Sequence, residues 1–198
     1  MRLPEFTGFE FFNPNYVEGD VYLEDGEIVP KQLLKYNGRI DGLLTSPPHV
    51  GHEILLDNYF IKGFTLKLDN AKPSVKFSKI RIKEEFVSDS VKVFAQELYL
   101  GKLSLFAYRK FKYEGDVYKA IGNMTISKQE FGPSFVYYFQ LPNNKTIGFT
   151  SFKKRDLYKL FPENKDLIKR IFKEKHQHRF KDEDDLITIT KILSPLFQ

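Results

Sequence analysis

The sequence predicts an α+β protein: an antiparallel β-rich body, sandwich- or barrel-like, over residues 1–150, followed by a C-terminal helical segment of two or three helices over 151–198, all in a single domain. Three observations carry this reading. Turn-forming residues punctuate the first 150 positions, and β-branched and aromatic runs fill the gaps between them. After about residue 151 the apolar spacing changes from alternation toward a helical period. The chain is also 198 residues long and 41% hydrophobic with no Cys, enough to bury a core that owes nothing to disulfides.

Each element has its own warrant. Val21–Leu23 and Glu27–Tyr36 flank Asp25-Gly26 as a hairpin, and Pro30, which has no N–H to pair, marks an edge or a bulge in the second arm. In Ile61–Leu68 the residues Phe64, Leu66 and Leu68 share a face. Val75, Phe77, Ile80 and Ile82 make a strand whose phase slips at Ser78-Lys79. Ser90–Tyr113 reads as a long hairpin turning at Leu100-Gly101, apolar on both faces and so expected inside a sheet. Val117–Ile126, Phe135–Leu141 and Thr146–Phe149 follow, the last two joined by Pro142-Asn143-Asn144-Lys145.

Ser151 is placed to cap a first helix carrying Leu157, Leu160 and Phe161. Pro162 begins a second, over about 163–175, with Leu167, Ile168, Ile171 and Phe172 in one stripe. Asp182–Asp185 puts negative charge at the start of a third, where the helix dipole favours it, and Pro195 ends it.

The same composition narrows function. Without Cys there is no thiol nucleophile, Cys-based zinc site or iron–sulfur cluster. No Gly-x-Ser-x-Gly, Ser-x-x-Lys or phosphate-cradling Gly-rich loop occurs. No catalytic residue and no cofactor is assigned, and the balance is toward a protein that is not an enzyme. The weak metal candidates are His49, His52 and Glu53 in Pro47-Pro48-His49-Val50-Gly51-His52-Glu53, two imidazoles and a carboxylate in a loop. The paired carboxylates Glu24/Asp25, Glu84-Glu85 and Asp184-Asp185 read as turns or helix starts.

A formal charge of +5 permits anionic partners, yet the charges are interspersed. The basic clusters Lys153-Lys154-Arg155 and Lys169–Lys181 read as solvated helix faces, the second because Asp182–Asp185 follows it directly. Nucleic acid is therefore not the expected partner, and the absence of an 18-residue apolar run predicts no membrane span. With 20 Phe and 11 Tyr but no Trp, the dense aromatics at Phe106–Tyr113 and Phe135–Phe139 are expected to fill the core. An aromatic sheet face near Arg109 and Lys110 that stacks sugars or bases is the functional alternative. Asn123-Met124-Thr125 and Asn144-Lys145-Thr146 have the form of N-glycosylation acceptors, and Asp89-Ser90-Val91 that of a short O-glycosylation acceptor.

The run Phe94-Ala95-Gln96-Glu97-Leu98-Tyr99-Leu100-Gly101-Lys102-Leu103-Ser104-Leu105-Phe106-Ala107-Tyr108 resembles a recurrent Gly-Lys-x-Ser-Leu-Tyr-x-Tyr hairpin of uncharacterised envelope proteins of Bacteroidetes. Gly19–Leu23 with Asp25-Gly26, Asp57–Phe64, Phe161–Leu167 and Asp185–Ile187 resemble further pieces of that pattern in the same order. The likeness spans about residues 19–195. It departs at Phe106, where the pattern has Tyr, and lacks a frequent Asp-Cys pair. The resemblance implies a leader on the full gene product and a periplasmic or cell-surface location. It supplies no activity and no catalytic residue.

The leading expectation is thus a non-enzymatic extracytoplasmic binding or accessory module for a protein or glycan partner, engaged through a sheet edge or an aromatic groove. A long strand paired on one side only is what the edge version requires. The alternatives are a carboxylate- or metal-dependent hydrolase using His49 and His52, and an intracellular nucleic-acid binder using Lys153, Lys154, Arg155 and the Lys169–Lys181 cluster.

Overall fold

The computed structural model describes residues 5–8, 10–47, 51–68, 74–83, 90–121, 124–150, 153–174 and 182–197. It is α+β, with β-strands through residue 149 and three helices after them. The strands are β1 (Glu5–Gly8), β2 (Val17–Leu23), β3 (Ile28–Asn37), β4 (Gly42–Thr45), β5 (Ile54–Leu55), β6 (Ile61–Leu66), β7 (Val75–Lys83), β8 (Ser90–Tyr99), β9 (Ser104–Tyr108), β10 (Phe111–Ile121), β11 (Met124–Pro133), β12 (Val136–Gln140) and β13 (Thr146–Phe149). The helices are α1 (Lys154–Leu160), α2 (Lys165–Glu174) and α3 (Glu183–Leu193). The chain divides into two compact units that alternate along the sequence: Met1–Ile80, Val93–Gln96 and Arg109–Phe135 form the first, and Arg81–Lys92, Glu97–Tyr108 and Val136–Gln198 the second.

In the first unit the strand order runs from the middle of β8 through β7, β6, β2, β3 and β4 to β5, and a separate sheet has the order β1-β11-β10. The β2–β3 hairpin forms around Asp25-Gly26 as its turn chemistry dictates, with the Asp25 carboxylate accepting the Glu27 N–H. Pro30 does sit at a bulge. Register shifts between Gly19 and Val21, and Lys31 takes φ 55° while its N–H donates to Asp20 Oδ1 at 2.9 Å. The core gathers Leu34, Tyr36, Leu43, Phe64, Leu66, Phe77 and Phe94. Phe64 and Phe77 are cross-strand partners whose rings stack at 4.8 Å, and Tyr36 leans on both. Leu68 is exposed, because β6 ends two residues earlier.

In the second unit the order is β13-β12-β9-β8, antiparallel where β9, β12 and β13 pair. Every residue of β9 is buried, as expected of a strand apolar on both faces. Its turn is closed by Ser104, whose hydroxyl accepts from Gly101 N–H and donates to Gly101 C=O. Phe139, Phe149, Phe161 and Phe197 form a chain of ring contacts.

Pro162 starts a short 3-10 turn that leads into α2, which buries Ile168 and Phe172. Asp182 caps α3 by accepting the Asp185 N–H. The β-branched run Thr188-Ile189-Thr190 does not prevent that helix, since Ile189 and Thr190 are buried and the Thr190 hydroxyl donates to Leu186 C=O.

Three boundaries differ from expectation. The Ser90–Tyr113 hairpin ends at Tyr108, and Phe111–Tyr113 belong to β10 in the other sheet. The Val117–Ile126 stretch is divided between β10 and β11, which pair antiparallel. The N-terminus of α1 follows Lys153, which makes no side-chain cap, while Ser151 lies outside the described residues. No helix is long and apolar enough to cross a membrane among the described residues.

Candidate functional site

One surface feature of the first unit is built on the β10–β11 ribbon. Its support begins at the β3–β4 turn. Buried Asn37 accepts the N–H groups of Arg39 and Ile40 on its side-chain oxygen, which fixes that turn. Gly38 donates to Glu10 C=O and accepts the Phe111 N–H at 3.2 Å, so the turn holds the start of β10. A side chain at Gly38 would collide with the Arg109 carbonyl and the Phe111 ring, which is why only glycine fits there. The far side of the ribbon base is closed by Ser134 N–H donating to Lys110 C=O.

The register then decides which side chains share a face. Phe111 pairs with Pro133 and Tyr113 with Phe131. A bulge follows at Glu114-Gly115, where Gly115 takes φ 152°, a backbone region reserved for glycine. Beyond it Asp116 pairs with Gln129 and Tyr118 with Ser127. The extra residue shifts the alternation by one, so Tyr113, Asp116 and Tyr118 lie on one face with Phe131 and Gln129. Tyr113 is 50% exposed and Tyr118 67%.

On this face Arg39, Phe111, Tyr113, Gln129 and Phe131 line a shallow groove of about 390 Å³. Phe131 forms its floor, with the Tyr113 ring edge-on at 5.9 Å and the Arg39 guanidinium 4.4 Å above it. Arg39 is also paired with Glu10 at 3.4 Å. The Asp116 carboxylate accepts from the Tyr113 hydroxyl and holds that phenol above its usual pKa, with smaller contributions from burial and Tyr118. The groove therefore presents an aromatic floor and wall, a planar cation, an amide and a carboxylate at one place. Among the described residues β10 has β11 as its one strand partner, so beyond Phe111, whose N–H is taken by Gly38 C=O, it forms a sheet edge.

The sites expected from sequence are placed otherwise. His49 lies outside the described residues. His52 and Glu53 are exposed, and Glu53 faces Tyr16, whose phenol is held up by burial and by that carboxylate. No group of three or more His, Asp or Glu fit to hold a metal occurs among the described residues. Glu24 pairs with Lys79 at 3.3 Å, Asp184 and Asp185 lie in the first turn of α3, and Glu84-Glu85 fall outside the described residues.

Lys153 and Arg155 are exposed, Lys154 sits 5.0 Å over the Phe172 ring, and Lys169 pairs with Asp166 at 2.9 Å. The part of the second basic cluster beyond residue 174 is outside the described residues. Arg109, which the functional alternative placed beside a ligand-stacking face, is buried. Its Nε donates to Gln96 at 2.7 Å and its guanidinium lies over Phe135 and Phe12. The aromatics Phe106, Tyr108, Phe111 and Tyr137–Phe139 are core, as their density predicts, whereas Tyr113, expected with them, is exposed.

One half-buried carboxylate had no signal in the sequence. Asp41, at φ 51°, accepts from the Tyr36 hydroxyl at 2.7 Å and from the Phe94 N–H. Burial pushes its pKa up to about 7 against the opposing pull of those hydrogen bonds and of Lys79 and Lys110. These bonds tie the β3–β4 turn to β8, which is a structural task.

No family model, no curated protein and no solved structure matches this chain.

Proposed function

We propose that the protein is a non-enzymatic extracytoplasmic binding module whose ligand face is the Tyr113–Tyr118 side of the β10–β11 ribbon. The observation that carries this reading is the pair of exposed tyrosines brought to one face of an edge strand by the Glu114-Gly115 bulge. Large exposed aromatic rings are uncommon on a surface with no partner, and they are enriched where partners bind. The groove beside them adds polar groups that fix orientation, as binding sites require. The resemblance of residues 19–195 to envelope proteins of Bacteroidetes supports the compartment. The hydrolase reading gains no support from His52 and Glu53, which are exposed. The nucleic-acid reading gains none from Lys154 and Lys169, which are engaged with Phe172 and Asp166.

The test is location. Cells expressing the full gene are fractionated, and intact cells are exposed to protease. Recovery with the periplasm, or degradation on intact cells, supports the reading. Recovery of a protected protein with the cytoplasm overturns it.

A further inference from the structure

The face of the β10–β11 ribbon is specific in its chemistry. Two exposed tyrosines, Tyr113 and Tyr118, are five residues apart on one strand with a bulge between them, which separates them by roughly 13–16 Å. That span exceeds a single ring-sized ligand. Between and beside them stand Asp116, Gln129 and Arg39, planar groups able to make paired hydrogen bonds. The charged groups named on this face leave it one net negative. Arg39 is neutralised by Glu10, and Asp116 is an anion at the centre. A polyanion such as a nucleic acid or a sulfated chain would meet a carboxylate where it needs cations.

From this chemistry we infer that the face binds a neutral oligosaccharide, a reading that rests on the binding role proposed above. The apolar C–H face of a sugar packs on an aromatic ring, and its vicinal hydroxyls pair with carboxylate, amide and guanidinium groups. Tyr113 and Tyr118 supply the two platforms. Asp116 and Gln129, cross-strand partners between them, take the hydroxyls, and Arg39 closes one end over Phe131. An extended apolar peptide has no use for a carboxylate at the centre of its contact.

The experiment is a titration of the isotope-labelled full chain with cellotetraose, chitotetraose, maltotetraose and mannotetraose. Heparin tetrasaccharide, oligo(dT) and an unstructured apolar peptide form the parallel arms. The expected result is that a neutral tetrasaccharide moves the backbone signals of Tyr113, Asp116, Tyr118 and Gln129. Tyr118→Ala then weakens its binding about tenfold or more, and Tyr118→Phe, which keeps the ring, retains it. Signals moved by heparin, oligo(dT) or the peptide and by none of the sugars overturn the saccharide inference and leave the binding-module reading standing. Sugar binding that Tyr118→Ala does not touch overturns this site. The absence of any sugar-induced shift overturns the inference outright, whereas failure of the parent reading shows in the compartment test.

Discussion

Asp41 and Phe94, fifty-three positions apart in sequence, are joined by a carboxylate that accepts one backbone N–H on both oxygens, at 3.2 and 3.3 Å. The same carboxylate takes the Tyr36 hydroxyl. A single acidic side chain thus satisfies a β8 donor and a core phenol together, at the cost of a positive φ.

This arrangement sets a pH dependence. The folded-state pKa of Asp41 is raised to about 7 from an ordinary 3.8, so between those values the folded chain holds a proton that the unfolded chain has released. Stability is therefore highest below about pH 4 with respect to this group and falls as pH rises through 7, by roughly 2–4 kcal/mol. Asp41→Asn keeps an acceptor for Phe94 and tolerates the left-handed backbone, so it should remove this slope. Urea midpoints at a series of pH values for both proteins measure it. An unchanged slope in the variant would assign the dependence to another group.

Gly38→Ala should lower stability by about 2 kcal/mol or more, since the added carbon meets the Arg109 carbonyl and the Phe111 ring. Because Gly38 C=O also holds the Phe111 N–H, the loss should appear first as faster amide exchange at the start of β10. A variant as stable as the parent, with unchanged exchange there, would refute the anchoring role.

In the second unit, Ser194 Oγ accepts the buried Leu103 N–H at 3.0 Å. Ser194→Ala leaves that donor unsatisfied and should cost about 1–3 kcal/mol. Ser194→Thr keeps the acceptor, so its loss should be smaller if the hydrogen bond is what matters. Thermal melts of the two variants decide this.

Tyr118→Ala should leave folding stability within about 0.5 kcal/mol, because the ring is 67% exposed. The check is a denaturant midpoint run beside the binding titration. A large drop in midpoint would make Tyr118 a structural residue rather than a ligand platform.

Local chemistry made much of the fold readable. Asp25-Gly26 specifies a hairpin by itself, Pro162 and Asp182 announce helix starts, and the both-sided apolarity of Leu103–Tyr108 marks an interior strand. The candidate site was hidden because of the bulge. Strict alternation puts Tyr113 and Tyr118 on opposite faces, and only the extra residue at Glu114-Gly115 brings them together. The Gly115 in that dipeptide was the available signal. Asp41 left no trace at all, since its partners lie on β3 and β8 and its environment exists only after both have paired. Around Arg109 the density of aromatics pointed to core rather than to a ligand platform, and Gln96, Phe12 and Phe135 enclose it.

The alternation of the two units along the chain has a consequence for synthesis. A ribosome releases residues in order, and the first unit draws on Val93–Gln96 and Arg109–Phe135 as well as on Met1–Ile80. Its early strands therefore emerge long before the ribbon, and the core they share stays incomplete until Phe94 follows them. Such distant pairing makes folding slow and leaves a nascent chain exposed to aggregation. A chain stalled near residue 100 would hold that whole core and lack only the ribbon, which makes the interval before Phe94 emerges the one in which a chaperone would matter most.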